Sequence, residues 1–343
     1  MSARWTIAAW LVGALLAGGC ESSRREDIAY RHGVELLSAG SPRSAIPFLT
    51  EAVAERSEAS APCAMLALAY ALDLQPELAI RYAAQAGPGQ APDNSTGWAL
   101  VARGIAEMCR HRPGEAAEWL GKAVAQAPAG SGPKRAATQW LILALMVAGD
   151  VKGALHRLEP PDRGGEVTPT APLWACLAYA SQGKTTDAAD CLVRAAKGVT
   201  GYRPARQWRA IDAGGADPND IPDAAVAAIR RGDLPAAEKL FLSLQRQRPD
   251  AADTQTWLAL LAAGQGRPDE AKQALIRGGA DGSLQSRGLA NHLLSVVCAL
   301  EGRPRGMIAH MLTGQRLMRR HRLSVPPAPG AETDPVWHSD KMK

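Results

Sequence analysis

Aromatic side chains are scarce: they make up 5% of the 343 residues, and only two are phenylalanine. Few segments alternate Val, Ile or Thr with polar residues, which excludes most strand-built architectures. His32, His111, His156, His292, His310, His321 and His338 form no HxH or HExxH constellation, and no GxSxG elbow is present. The six cysteines include no CxxC or zinc spacing. These absences remove the common sequence routes to a metal centre or an activated nucleophile. No enzyme activity, metal, cofactor or small-molecule substrate is therefore expected. The net charge of +5 and pI of about 9.0 belong to a long chain without a concentrated basic face, so nucleic acid is not an expected partner. The densest basic run, Arg316 to Arg322, reads as a solvated helix end with cations near the negative pole of the dipole, and binding to an acidic partner or headgroups is the alternative.

Alanine, in contrast, is abundant. It is the best helix former and lets helices approach closely, so the chain is expected to be all-α. Within it the stretch GQGRPDEA, Gly264 to Ala271, is one of a set. Similar segments occur at Ala39–Ala45, Arg110–Ala117, Ala148–Ala154, Ser181–Ala188, Arg230–Ala237 and Glu301–Met307. Each follows an apolar helical stretch and introduces another. Glycine ends one helix, proline or an acidic residue starts the next, and the small alanine lets the two touch. A phosphate-binding fingerprint would need a strand before GQGRPDEA, whereas Thr254–Ala263 is helix-forming. Gly130-Ser-Gly-Pro-Lys134 lacks the GxxxxGK[ST] spacing, and Pro133 removes an N–H that a phosphate would use.

On these residues the chain resembles the tetratricopeptide repeat, a helix-turn-helix of about 34 residues. Repeat starts fall near 26, 60, 97, 135, 169, 218, 252 and 288. Gly33 and Gly104 take the family's small position, Tyr70 and Tyr179 its tyrosine, and Ala45, Ala79, Ala116, Ala154, Ala188, Ala237 and Ala271 its alanine. The eighth unit has Met307 there and reads as a cap. The resemblance implies a right-handed superhelical solenoid of about seven to eight repeats. Because one interval is about fifteen residues too long, a hinge or extra helix at 201–217 is expected to separate an N-terminal lobe, 26–200, from a C-terminal lobe, 218–322. Two Gly-Gly-Ala-Asp stretches are similar to ankyrin loops but lack that family's paired helices. The proline-rich tail, 323–343, is expected to be disordered, with docking on the array as the alternative.

Residues 1–19 join one arginine to an apolar run from Trp5 to Leu16, shorter than the ~20 residues of a membrane span, and then to small residues. Leu16-Ala-Gly-Gly-Cys20 resembles a bacterial lipobox. The resemblance implies a cleaved signal peptide, lipidation of Cys20 and a short tether, 20–25. It implies a periplasm-facing protein of the bacterial envelope. Glu21 after the cysteine favours the outer over the inner membrane. An uncleaved signal anchor is the alternative.

In the repeat family the first helix of each unit lines a concave groove. Carried over by position, that lining includes Tyr30, Leu68, Trp98, Ile105, Met108, Leu143, Met146, Leu177, Ile229 and Leu260. It is apolar, and Arg230 is almost the only cation that could clamp a carboxylate. The resemblance thus implies a membrane-anchored scaffold that binds an apolar or amphipathic segment of another envelope protein, as an assembly or biogenesis factor. The alternatives are an enzyme or polysaccharide-processing accessory with a site between the lobes, and a purely structural tether. Cys63, Cys176 and Cys298 fall at interior positions and read as buried thiols, with a Cys176–Cys191 crosslink as the alternative.

Overall fold

The computed structural model describes residues 26–55, 60–86, 94–158, 171–198, 220–247, 252–280 and 283–324. The signal segment, Cys20, the 201–217 insert and the tail beyond Ser324 lie outside them. The described residues form eight helical hairpins and no strand. The first four are α1 (Glu26–Ser38) with α2 (Pro42–Glu55), α3 (Ser60–Leu72) with α4 (Pro76–Gln85), α5 (Ser95–Cys109) with α6 (Pro113–Gln126), and α7 (Gly132–Val147) with α8 (Val151–Leu158). The last four are α9 (Ala171–Ser181) with α10 (Thr185–Gly198), α11 (Asp220–Arg230) with α12 (Leu234–Gln247), α13 (Ala252–Gly264) with α14 (Pro268–Ala280), and α15 (Leu284–Leu300) with α16 (Pro304–Ser324).

One residue turns the chain in every hairpin. Gly40, Leu74, His111, Gly149, Gly183, Gly232, Gly266 and Gly302 all have φ between 59° and 82°, the left-handed region. Each lies fourteen positions past an expected repeat start, from 26 and Gly40 to 288 and Gly302. GQGRPDEA is therefore a helix-to-helix turn. The amide of Gly266 donates to Ala263 and that of Arg267 to Ala262, which satisfies the last carbonyls of α13, and Pro268 opens α14. Leu74 and His111 hold the same conformation with a side chain, a position that disfavours Cβ.

The helices of a hairpin touch where side chains are smallest. A Cβ on Gly33 would stand 2.6 Å from Leu49 Cγ, and one on Gly104 would stand 2.5 Å from Leu120 Cγ. The seven alanines read from the repeat, and Met307 in the eighth unit, are fully buried at these crossings. The second Gly-Gly-Ala-Asp stretch is the end of α14, with Gly278 and Gly279 inside the helix.

The hairpins stack in order through α7. The first helices α3, α5 and α7 lie side by side, while α2, α4 and α6 each pack on the next first helix. There the regular stack is interrupted, because α7 packs on α15 more than on α9. Helix α15 also rests on α9 and α13, and α13 lies against both α9 and α10. From this wedge α16 runs back across α5 to the α1–α2 turn. The last hairpin thus bridges both halves of the array. The helical-repeat solenoid expected from the sequence is what the structure shows, and its last hairpin lies across the inner face. No described helix is long and apolar enough to cross a membrane.

Candidate protein-binding groove

The inner face of the first four hairpins is made by α1, α3, α5 and α7. Their inward positions are apolar because each helix repeats an apolar residue every three or four positions. Val34, Leu37, Met65, Leu68, Leu72, Trp98 and Trp140 converge on one depression, which Ser38 and, from α16, Gln315 also line. Helix α16 divides its contacts between two faces. Met311 and Gly314 meet His292 of α15, with the Met311 sulfur 3.1 Å from His292 Nδ1, and Met318 lies over Gly288. On the other side Gln315 lines the depression and Arg319, one turn further on, reaches α1. The Leu312 carbonyl and the Gln315 and Arg316 side chains crowd the α1–α2 turn at Gly40. Arg319 donates to the Glu35 carbonyl at 2.6 Å and to Ser38 Oγ at 2.9 Å, placing a cation on the negative pole of α1. Arg305, at the other end of α16, is close enough for its charge to act on the Cys109 thiol, which burial pushes up to about 11.

The carried-over groove residues sort into three groups. Leu68 and Trp98 line the depression around Gln315. Tyr30 is half-buried against the core. Ile105, Met108, Leu143, Met146, Leu177, Ile229 and Leu260 are buried, and four of them have no exposed surface at all. Burial alone does not separate these groups, because Leu68 and Trp98 are also buried while lining the depression. Arg230 is also committed, its Nε donating to the Ala196 carbonyl at 3.1 Å and so holding α11 on α10.

The basic run in α16 is only partly a solvated end, because Arg319 reaches another helix. Sequence reasoning missed Gln315 and Arg319, which meet the inner face from α16. Their spacing of four was the available signal, but it also fits ordinary packing within a hairpin.

The remaining chemistry is structural. His292 is fully enclosed, and burial lowers its pKa from 6.5 to about 4. His310 is lowered by burial and by Arg303, and its Nδ1 donates to Asn291 Oδ1 at 2.9 Å across the same hairpin. Among the described residues the five cysteines form no disulfide, Cys176 and Cys191 included, and no His/Cys/Asp/Glu group could hold a metal. A separate open trough of about 430 Å³ lies between α12 and α14, floored by Leu258 and Ala262. Its Glu238 and Glu270 are both held by Arg267 at 2.6 Å, which leaves Asp269 and Arg277 on the rim.

No family model matches this chain, and no curated protein does. Among solved structures it is similar to the tetratricopeptide-repeat domain of P58(IPK), solved at 2.5 Å, with a TM-score of 0.28 and 14% identity. The match covers 87% of this chain and 99% of that one.

Proposed function

We propose that this chain is a scaffold of the bacterial envelope, tethered to the outer membrane through lipid on Cys20, that receives a helix of another envelope protein on its inner face. One observation supports the reading above others: the inner face of α1, α3, α5 and α7 already holds a helix, α16, in an apolar seat. A surface shaped to take one amphipathic helix supplies the contacts by which such helices are recognised, with anchors at heptad spacing in a hydrophobic groove.

Two readouts test it in cells. Labelled palmitate should enter the full-length protein and be lost in Cys20→Ala, which should also leave the outer-membrane fraction. A photo-crosslinking amino acid at position 38, beside the end of the seat, should yield one dominant protein adduct in intact envelopes. No adduct, or a smear equal to that from an outward position such as Glu118, would contradict the scaffold reading.

A further inference from the structure

Helix α16 brings the most basic part of the chain back to the first hairpin. Its Leu312 carbonyl and Arg316 side chain meet the turn at Gly40, and further along Arg319 reaches Ser38 and Glu35. Contacts that advance along α16 thus step back along α1. The two helices run antiparallel there, and the last turn of α16 continues towards Glu26, where α1 begins. Arg319 does the docking. Arg316 and Arg320, four positions apart, share another side of α16, and both are exposed. The Arg316 guanidinium donates to Thr313 Oγ1 within its own helix. Thr313, Ala309 and the exposed Arg305 continue the stripe, and α16 carries no acidic residue. At the α1–α2 turn Arg43 adds a side chain that is 85% exposed, although its Nε meets Asp73 at 3.1 Å. The carboxylates of this end, Glu26, Asp27 and Glu35 on α1 and Asp73 beside Arg43, all belong to other elements. Ile28, in the first turn of α1, is 66% exposed.

We infer that the end of the array built by α1, the α1–α2 turn and the last turns of α16 is a docking surface for anionic phospholipid headgroups, which sets how the array stands on its membrane. In the lipid-anchored reading above, on which this rests, Cys20 lies six positions before Glu26. The residues between them span about 20 Å at most, so α1 begins beside the headgroups and the last turn of α16 with it. A basic helix stripe is drawn to an anionic surface, and each arginine near that surface adds to the attraction. The anchor holds the stripe there at high effective concentration, so a contact too weak to retain a free protein is enough to orient a tethered one. Lipid supplies attachment and the arginines supply orientation. An acidic protein segment is the competing ligand for the same charge. The place of the stripe beside the anchor favours the membrane, and so does Ile28, an exposed apolar side chain at the start of α1 that a bilayer interface accepts.

The test uses the unlipidated chain of residues 21–343, which keeps all eight hairpins, with vesicles of phosphatidylcholine alone or mixed three to one with phosphatidylglycerol. At low salt the chain should bind the anionic vesicles at least tenfold tighter than the neutral ones, and added salt should erase the difference. Arg316→Glu combined with Arg320→Glu should lose at least tenfold of that affinity with helical signal unchanged. Arg231→Glu combined with Arg246→Glu, an exposed pair elsewhere, should lose less than threefold. Arg320→Glu alone serves if the first pair loses helix. Equal binding to both vesicles, or equal loss in the two pairs, would overturn the inference. Tighter binding to polyglutamate than to anionic vesicles would also overturn it, by assigning the stripe to an acidic protein segment. The palmitate readout at Cys20 is separate. Stripe-dependent vesicle binding with no label on Cys20 would sink the anchor and spare the surface. Labelled Cys20 without vesicle binding would do the reverse.

Discussion

The first four hairpins and the last four bury different things. Among described residues the first half hides three polar side chains, Ser38, Ser95 and Glu107, whereas the second hides seven: Thr254, Thr256, Ser286, Asn291, His292, Ser295 and Gln315. Buried atoms without a hydrogen-bond partner occur in both sets: Glu107 Oε2 in the first, and the Thr254 and Thr256 hydroxyls and His292 Nε2 in the second. The first half keeps its inner helices in sequence order, while the second inserts α15 between α7 and α9. Identical repeat grammar thus yields two kinds of stacking. The first half is a platform of hairpins in sequence order, and the last hairpin of the second half folds back over it as a lid.

The largest expected effect attacks the platform. Met108 is fully buried in α5, so Met108→Glu places an unpaired charge in the core and should destabilise by about 4 kcal/mol or more. Denaturant melts should show this as global loss of helix. An unchanged midpoint would mean that the platform is not packed as described.

Acid attacks the lid. His292 binds a proton in the unfolded chain near pH 6.5 but in the fold only near pH 4. Stability is thus fully present above 6.5 and falls as pH drops towards 4, by about 3 kcal/mol, and levels off below. His310, also lowered, adds in the same direction. Hydrogen exchange should show α16 losing protection in this window before α5 does, and His292→Leu should flatten most of the slope.

A smaller and signed pair concerns glycine. Gly104→Ala meets Leu120 and should cost about 1–2 kcal/mol, because overpacking outweighs the gain in helix propensity. Gly121, with nothing within 4 Å of a Cβ, should gain up to about 1 kcal/mol as alanine. Equal shifts in the two melts would deny the tight crossing. Smallest of all, Arg319→Ala should lower global stability by about 1 kcal/mol or less, since the contact lies at the surface, while speeding exchange in α16.

What was legible in the sequence is what is local. The left-handed turn, the proline after it and the small alanine at the crossing each need only neighbouring residues, so eight hairpins could be phased before any coordinates. Even Leu74 and His111, which lack the expected glycine, fall in phase because the interval fixes them. The groove was half legible. Leu68 and Trp98 do line the seat, but an apolar residue facing a partner and one facing the next helix look alike in sequence, as Ile105 and Met108 show. The return of α16 was not legible. Arg319 and Glu35 meet across 284 positions, and nothing in the basic run Arg316–Arg322 says which helix end it serves.

The most direct measurement is a crosslink. Glu35 and Arg319 replaced by cysteine lie on two helices that touch only if α16 lies across the inner face, and the five described native cysteines are buried from reagent. A short bis-maleimide applied to the monomer at neutral pH should give an intramolecular link between α1 and α16, read by mass spectrometry. No link, or a link only between separate chains, would contradict a groove filled by its own last helix.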